Sequence, residues 1–301
     1  MVLALVLILA GCGQQKNKKT THSMYYWSTT LNITPEQKQF LRKHHVKRLY
    51  VRYFDVVTDT YGRPQPNATI SFHSPMPKSV EVVPTVFILN DCMKQEVGDL
   101  ADKLLRRILQ MNETHDVGKV KEIQIDCDWT KRTQKQYFAF LKELHQKAQE
   151  KHIQISTTIR LHQLAMTPPP VDHGTLMIYN TGDVTDFHAK NPILALQDVK
   201  PYLRYLKNYR LPLNAVYPIF TWQAVFRAGQ FVGILHADDE LPITSSDTIL
   251  THAPNLQEIL SVRKAVASQR AAIHQEVILF DLSNKNINRF NTDDYEKIFN
   301  D

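Results

Sequence analysis

Glycine is scarce in this sequence, with 9 residues in a chain of 301. No Gly-rich phosphate-binding loop is present, and both observations disfavour nucleotide-binding folds. The 13 histidines include no HExxH motif and no pair at the i, i+4 spacing of a helical metal site. We therefore expect neither a cofactor nor a dedicated metal centre.

Cysteine is scarcer still, at three residues. Cys12 lies near the start of the chain, which leaves Cys92 and Cys127 for its body. These two residues could pair in an exported protein. Alternation along a strand would direct Cys127 away from the flanking Asp126 and Asp128, so a free buried thiol is the other interpretation. The sequence leaves the pairing open, because it does not report the distance between the two Cα atoms.

The apolar run at residues 2–10 (VLALVLILA) is too short to span a bilayer as a stable helix. It is typical of the apolar core of a secretory signal peptide. Leu9-Ala10-Gly11-Cys12 resembles the lipobox of bacterial lipoproteins, although no Lys or Arg precedes the run. The resemblance implies a signal peptide at 1–11, a diacylated Cys12 and a flexible polar tether over 12–23.

This resemblance also predicts where the protein is found. A lipid anchor at Cys12 would hold it on a membrane of the bacterial cell envelope, facing either the periplasm or the cell surface. The net charge is +6, and Lys16, Lys18 and Lys19 of the tether supply three of these charges. The remainder is nearly balanced, so we expect no nucleic-acid partner. Residues 24–301 are expected to form a single domain and the protein to be a monomer.

Eight β-prone segments recur along the chain, and most are followed by an amphipathic helical pattern. Near-continuous apolar strands separated by such helices predict a parallel sheet covered on both faces. Eight units in about 270 residues predict an α/β fold of the (β/α)₈ TIM-barrel type, regular or irregular, with a doubly wound open sheet as the alternative. The eight segments are 24–29, 47–56, 80–90, 120–128, 152–161, 175–180, 213–220 and 276–283.

The segments between the strands predict helices, a loop and an insertion. Four Pro residues predict a long loop over 58–78. Residues 222–255 predict a long insertion of uncertain form before the last helix-strand pair. The predicted helices are about 34–45, 97–111, 133–150, 196–209 (with Pro201 in its first turn) and 256–275.

The fourth strand ends in two carboxylates, within the sequence IQIDCDWT. Asp126 and Asp128 share one face of the strand and lie at its C-terminal end, where active sites of parallel barrels form. At a spacing of about 7 Å they should repel each other, which could separate a general acid from an ionised carboxylate. The other interpretation is a salt-bridge network with Arg160, at the matching end of the fifth strand.

The sixth strand carries a second motif, MIYN. IDCD on the fourth strand and MIYN on the sixth resemble the DxxDxDxE and MxYD motifs of the family 18 glycoside hydrolases, which are (β/α)₈ chitinase-like enzymes. The resemblance implies that Asp128 is the acid, that Asp126 orients the substrate, and that Tyr179 assists beside Asn180. The acid is a shorter Asp, Gln124 replaces an Asp, and the eighth strand lacks the family's Trp, so a substrate-assisted mechanism is only one of the options.

A wider resemblance covers most of the chain after the tether. LYVRYFDV, VPTVFILN, IQIDCDWT, TTIRLHQL, PPPVDHGTLMIYN and YPIFTW resemble, in wording and order, segments of an uncharacterised family of bacterial lipoproteins. That similarity supports the fold and the location more than an activity.

Further residues at predicted strand ends could bind a substrate. Arg160 could clamp a carboxylate, and Trp129 and Trp222 could stack on sugar rings, although core packing would explain such aromatics equally well. Asp55 and Asp281 could instead cap turns. The full set of predicted substrate-binding residues is Asn180, Arg160, Trp129, Trp222, Asp55, Asn90, Asp281 and Gln163.

Three functions are compatible with these patterns. The first is a cell-envelope glycosidase that uses Asp126, Asp128 and Tyr179 as catalytic residues. The second is a non-catalytic protein that binds glycans in the same cleft. The third is a scaffold subunit that docks through the insertion at 222–255.

Overall fold

The computed structural model describes residues 20–235 and 243–301. Eight parallel strands close into a barrel in the order β1-β14-β10-β9-β8-β7-β6-β3, and β1 pairs with both β14 and β3. The barrel strands are β1 (Thr21–Tyr26), β3 (Arg48–Thr58), β6 (Glu81–Ile88), β7 (Glu122–Asp126), β8 (Gln154–Arg160), β9 (His173–Met177), β10 (Leu213–Pro218) and β14 (Glu276–Phe280).

The (β/α)₈ prediction is therefore confirmed. A doubly wound open sheet is excluded, because the pairing of β1 with β3 closes the sheet on itself. The helices that follow the strands are α1 (Pro35–Lys43), α2 (Leu100–Thr114), α3 (Gln134–Gln149), α4 (Leu196–Leu206), α5 (Leu256–Gln269), α6 (Asn284–Ile287) and α7 (Thr292–Asn300).

Capping residues set the beginnings of several helices. The Thr34 hydroxyl accepts from the backbone N–H of Gln37, and the Gln37 side chain accepts from that of Thr34, so that a capping box precedes Pro35. Asn255 starts α5 in the same way. The helix predicted at 196–209 begins at Leu196, so Pro201 lies in its second turn and not in its first.

Two regions differ from a minimal barrel. The segment predicted as a loop at 58–78 contains two short strands, β4 (Pro64–Asn67) against β3 and β5 (Ser71–Phe72) against β2 (Thr30–Leu31). The insertion forms a three-stranded antiparallel sheet. Its strands are β11 (Trp222–Arg227), β12 (Gln230–Ile234) and β13 (Asp247–His252), with residues 236–242 outside the described part.

Strand β3 contains a bulge at Tyr53. Arg52 pairs with Thr85 of β6 while Phe54 pairs with the next residue, so β3 has one residue more than its neighbour. The Tyr53 hydroxyl donates to Asn112 of α2, and Phe54 also lies on the helix side. Both consecutive side chains therefore leave the barrel interior.

The middle of the barrel interior is apolar and tightly filled. Side chains from six strands form one buried cluster, as expected for a barrel whose interior is a packed core. The cluster consists of Tyr25, Tyr50, Val83, Met177, Val216 and Ile278.

Below this cluster, at the N-terminal ends of the strands, the interior holds an ion network that we call the lower cluster: Arg48, Glu81, Glu122 and Glu276. Arg48 bonds to Glu81 at 3.2 Å, to Glu276 at 3.1 Å and to Glu122. The hydroxyl of Ser156 donates to Glu122 at 2.5 Å. Glu276 accepts from Ser23, Tyr50 and Asn214 at 2.5, 3.1 and 2.8 Å.

Cys92 and Cys127 are both buried and free. The predicted signal peptide at 1–11, Cys12 and the tether up to residue 19 lie outside the described residues. No helix of the described part is both long and apolar enough to cross a bilayer.

Candidate functional site at the barrel mouth

The two carboxylates of the fourth barrel strand meet the end of the fifth. Asp126 closes β7, and Asp128 follows it by two residues. Arg160, the last residue of β8, donates from Nη2 to Asp126 at 3.1 Å and from Nε to Asp128. The predicted salt-bridge network with Arg160 is therefore present at the C-terminal ends of the strands.

The two acids differ in their surroundings. The side chain of Asp126 is 7% exposed, and its Oδ1 also accepts from the Thr158 hydroxyl at 2.6 Å. The side chain of Asp128 is 57% exposed, so it faces solvent beyond its contact with Arg160. The ion network is therefore open to solvent on the side of Asp128.

Burial raises the pKa of Asp126 above its usual range, against the opposing effects of Arg160 and Thr158. Burial likewise raises the pKa of Tyr179, with Arg160 acting to lower it and Asp126 and Asp128 to raise it further. Tyr179 follows the end of β9 by two residues, so it lies at the same end of the barrel as Asp126, Asp128 and Arg160.

Arg160 has one donor left over. Among the described residues, its buried Nη1 has no hydrogen-bond partner. A buried guanidinium N–H without an acceptor costs free energy.

A hydrogen-bonded support lies beneath the acids. The Tyr25 hydroxyl donates to Gln124 Oε1 at 2.5 Å, and Gln124 Nε2 donates to the Thr175 hydroxyl at 3.0 Å. Tyr25 also couples electrostatically to Asp126 and Tyr179. Gln124, which replaces an Asp of the family 18 motif, therefore joins three strands without adding a charge.

Aromatic rings form one wall of the mouth. Phe280, the last residue of β14, contacts Tyr25 and Tyr179 with ring centroids 5.3 Å apart in each case, and Trp27 at 5.8 Å. The eighth strand lacks the family's Trp, but Phe280 places a ring at its end. Sequence reasoning missed this residue, although its position two residues after Ile278 assigns it to the inward face.

The aromatic wall continues onto the insertion. Phe220 lies 5.7 Å from Tyr179 and 5.4 Å from Trp222, measured between ring centroids. Trp222 is half-buried at the start of β11. Its contact with Phe220 therefore places Trp222 beside the mouth, where the sequence predicted it.

A second guanidinium-carboxylate pair lies on the second barrel strand. Arg52 donates from Nε to Asp55 at 2.8 Å, and its guanidinium lies 5.5 Å from the Trp27 ring centroid. Because Arg52 pairs with it, Asp55 is held beside the aromatic wall. Sequence reasoning missed Arg52.

Three other predicted residues lie around this region. Asp281 follows Phe280, accepts from the Asn286 side chain at 2.6 Å, and couples electrostatically to Tyr179. Burial raises the pKa of Asp281. Asn180 is exposed, with a left-handed backbone (φ 54°) that Asn tolerates. Asn90 accepts from the Thr133 hydroxyl at 2.7 Å, and it lines a surface groove beside Thr133.

Two predicted substrate-binding residues do not reach the mouth. Trp129 is fully buried, and its ring packs against Tyr137 and Phe138 of α3. A ring enclosed between strand and helix offers no face to a sugar. Gln163 is also buried and binds backbone groups of Arg160 and Trp129 at 2.8 and 2.9 Å, so it fixes the loop. We remove both from the candidate site.

Within residues 20–235 and 243–301, no group of three or more His, Cys, Asp and Glu side chains could hold a metal ion. Arg160 already occupies the space between the two acids of the mouth. The arrangement can therefore donate and accept hydrogen bonds and stack on a planar or ring-shaped ligand.

No family model matches this sequence, and no curated protein matches it either. Solved structures do match. The spore cortex-lytic enzyme SleL of Bacillus megaterium aligns with 95% of this chain and 75% of its own, at 12% identity and a TM-score of 0.60. The Group IV chitinase of Ostrinia furnacalis, solved with allosamidin, aligns with 93% of this chain and 98% of its own, at 9% identity and a TM-score of 0.57.

The GH18 chitinase ChiB of Flavobacterium johnsoniae, from a chitin utilization locus, aligns with 93% of this chain and 94% of its own. Its identity is 10% and its TM-score 0.52. At such low identity these similarities establish the fold. The chain has a TIM-barrel fold similar to that of these chitinases and of SleL.

Proposed function

We propose that this protein is a lipid-anchored protein of the bacterial cell envelope that binds a glycan at the mouth of its barrel. Aromatic rings of Phe280, Tyr179 and Trp222 offer stacking faces, and Asp128 and Arg160 offer polar contacts beside them. Small-ligand sites combine apolar walls with a few placed polar groups. Chitinases and SleL share the fold. This supports a glycan over other ligands that could both stack on aromatic rings and bond to polar groups.

The observation that carries binding, in preference to hydrolysis, is the position of Arg160. An acid catalyst must hold a proton until it transfers it to the leaving oxygen. Arg160 bonds to both carboxylates, so each acid of the pair already has a guanidinium beside it. Asp128 is also one methylene shorter than the Glu of the family motif. Both features oppose proton donation and leave the recognition surface in place.

Binding is tested with the chain from residue 13 onward, which lacks the predicted lipid anchor. Immobilised chitin, peptidoglycan and plant polysaccharides serve as a panel, and bound protein and released sugar are scored separately. We expect retention on at least one glycan without release of product. Arg160→Met should weaken retention about tenfold or more, because a charged hydrogen-bonding group is lost.

The matched control is Arg204→Met. Arg204 is exposed and stacks on Tyr205, with 4.7 Å from its guanidinium carbon to the ring centroid, in the helix α4. Its replacement should leave retention unchanged. Equal loss in both variants, or retention on none of the glycans, would reject the proposal.

Hydrolysis is the second candidate, and one observation favours it. Asp126 has a raised pKa beside Asp128 and Tyr179, so one acid of the pair is disposed to hold a proton. In this mechanism the pair would share one proton, which Asp128 would give to the leaving oxygen after Arg160 releases it, leaving both acids ionised, and a water molecule would replace the leaving group at the sugar carbon. Asp126 and Tyr179 would orient the reacting group. Asp128→Asn should then abolish product release while glycan retention persists. If the wild type releases no sugar from any glycan of the panel, this candidate falls.

The envelope location rests on Cys12. Radiolabelled fatty acid should be incorporated into the full chain and not into Cys12→Ser, and only the wild type should sediment with membranes. Equal sedimentation of the wild type and Cys12→Ser would show that membrane association does not depend on lipidation of Cys12.

A further inference from the structure

A groove of about 290 Å³ lies on the outer flank of the barrel, between β4 and α2. Its floor is apolar and includes Phe54, Val56 and Leu104, and its wall includes Pro64 and Pro66. This size lies at the lower end of the range for small-molecule sites. It offers a ligand an apolar surface.

The polar lining of this groove is of one sign. Lys103, Arg106 and Arg107 contribute to it, and none of its 11 lining residues is acidic. Lys103 and Arg106 are each paired outside the groove, with Asp99 at 2.8 Å and with Asp102. Among the described residues, Arg107 has no carboxylate partner within ion-pair distance.

Arg107 is also held in position. Its Nη2 donates to the Thr69 hydroxyl at 2.9 Å, and its guanidinium carbon lies 5.2 Å from the Phe54 ring centroid. Its buried Nε has no acceptor among the described residues. The charge of this guanidinium therefore has no acidic partner in the described part of the chain, and a bound carboxylate would supply one.

We propose that this groove binds a small single-chain carboxylate amphiphile, with the carboxylate on Arg107 and the chain along Pro64 and Pro66, which are the more accessible apolar part of the lining. A carboxylate matches the guanidinium that has no acidic partner, and the two prolines match an alkyl chain. The site is independent of the barrel mouth, because Phe54 and Val56 lie on the helix side of β3 while Arg52 and Asp55 lie on the side of Trp27.

The test is calorimetric titration of the chain from residue 13 onward with decanoate, and separately with the neutral decanol. We expect saturable binding of decanoate and at least about tenfold weaker binding of decanol. Arg107→Gln should weaken decanoate about tenfold, the effect of removing one charge-assisted contact. Arg106→Gln is the matched control, since Arg106 lines the same groove but is 73% exposed and already paired.

Gln110→Glu provides a second variant should Arg107→Gln fail to fold. Gln110 lines the groove and is exposed, so the new carboxylate should repel decanoate and leave decanol binding unchanged. Absence of saturable decanoate binding to the wild type overturns the proposal. Equal weakening of decanoate binding by Arg106→Gln and Arg107→Gln also overturns it. So does loss of decanoate binding in Arg160→Met, because that result would place the bound decanoate at the mouth.

Discussion

The two ends of the barrel interior each hold an arginine between carboxylates of neighbouring strands, but they are completed differently. In the lower cluster Arg48 bridges three Glu, and Ser23, Ser156 and Asn214 hydrogen-bond to those carboxylates. At the mouth, Arg160 bridges two Asp and keeps an unpartnered Nη1, and Asp128 is largely exposed. Both ends use ion pairs between a guanidinium and carboxylates, and they differ in the polar atoms that are left without a hydrogen-bond partner.

This difference separates a structural network from a site. A buried ion network is tolerated when hydrogen bonds satisfy its remaining polar atoms. The lower cluster meets that condition, and among the described residues the buried Nε2 of the neighbouring His173 has only the Glu122 carboxylate, at 3.1 Å, as a possible partner. The mouth does not meet it without an additional partner. Incomplete satisfaction at the end where barrel sites form, together with the aromatic wall, is why we assign the ligand to this end.

Replacing each arginine by Met should give the largest contrast. Arg48→Met leaves Glu122 and Glu276 buried with only the His173 imidazole beside them, and we expect a loss of about 3–5 kcal/mol in the free energy of unfolding. Arg160→Met should cost less than half as much, because Asp128 remains solvated and Asp126 can take up a proton. Urea denaturation at pH 7 measures both. Equal losses would mean that the two ends are energetically alike.

Acid should act on the two ends with opposite sign. Burial acts to raise the pKa of Glu122, but His173, Arg48 and Ser156 outweigh it and set this pKa at about 2. Its folded-state pKa is thus depressed, so its contribution to stability is present above the unfolded value of about 4.3 and is lost as pH falls towards 2. The destabilisation caused by Glu122→Gln should shrink over this window, as measured by urea denaturation from pH 7 down to pH 2.5.

For Asp126 the sign is reversed. Its raised pKa means that Asp126 ionises less readily in the folded state than in the unfolded state. Ionisation of Asp126 therefore lowers the free energy of unfolding of the wild type as pH rises from about 4. Asp126→Asn cannot ionise, and its stability relative to the wild type should therefore increase from pH 4 to pH 7. A relative stability that stays flat or falls over this range would contradict the assignment.

His173 adds a smaller effect at the lower end. Burial acts to lower its pKa, but the hydrogen bond and charge of Glu122 raise it overall. A raised pKa stabilises the fold fully below the unfolded value of about 6.5, and the contribution is lost as pH rises through the folded value. His173→Gln should flatten the dependence of urea stability on pH between 6 and 8. An unchanged dependence of urea stability on pH would mean that His173 is not the group that binds the proton.

The smallest stability effect is expected at the rim of the mouth. Trp222 is half-buried and contacts Phe220, so Trp222→Ala should change the free energy of unfolding by about 1 kcal/mol or less. The same variant should lose glycan retention, because a stacking face is removed. Trp129→Ala is the contrast, since removing a fully buried ring should cost about 3–5 kcal/mol. A large loss of stability at Trp222 would make it a core residue.

The pattern of apolar strands and amphipathic helices was sufficient to predict the closed barrel and all eight strands. Convergence of Asp126, Asp128 and Tyr179 followed from the same reasoning, because the C-terminal ends of parallel strands share one edge. Contacts that depend on long-range packing could not be read in this way. The pairing of Arg52 with Asp55 requires the bulge at Tyr53, and the enclosure of Trp129 requires the position of α3.

Polar residues in the lower cluster illustrate the same limit. Glu122 and Glu276 are the first residues of two barrel strands, and a sequence pattern alone would place such residues in solvent. Only the closure of the sheet brings Arg48 between them. In contrast, Phe280 could have been assigned to the inner face from alternation with Ile278.

The extra residue in β3 has a consequence for the proposed sites. If β3 alternated regularly through Tyr53, Phe54 would turn inward and Asp55 outward. The bulge absorbs Tyr53 instead, so the acid that holds Arg52 stays inside and the ring beneath Arg107 stays outside. A strand shortened by deletion of Tyr53 would alternate in step with β6 and keep both arrangements, while losing the hydroxyl that bonds to Asn112.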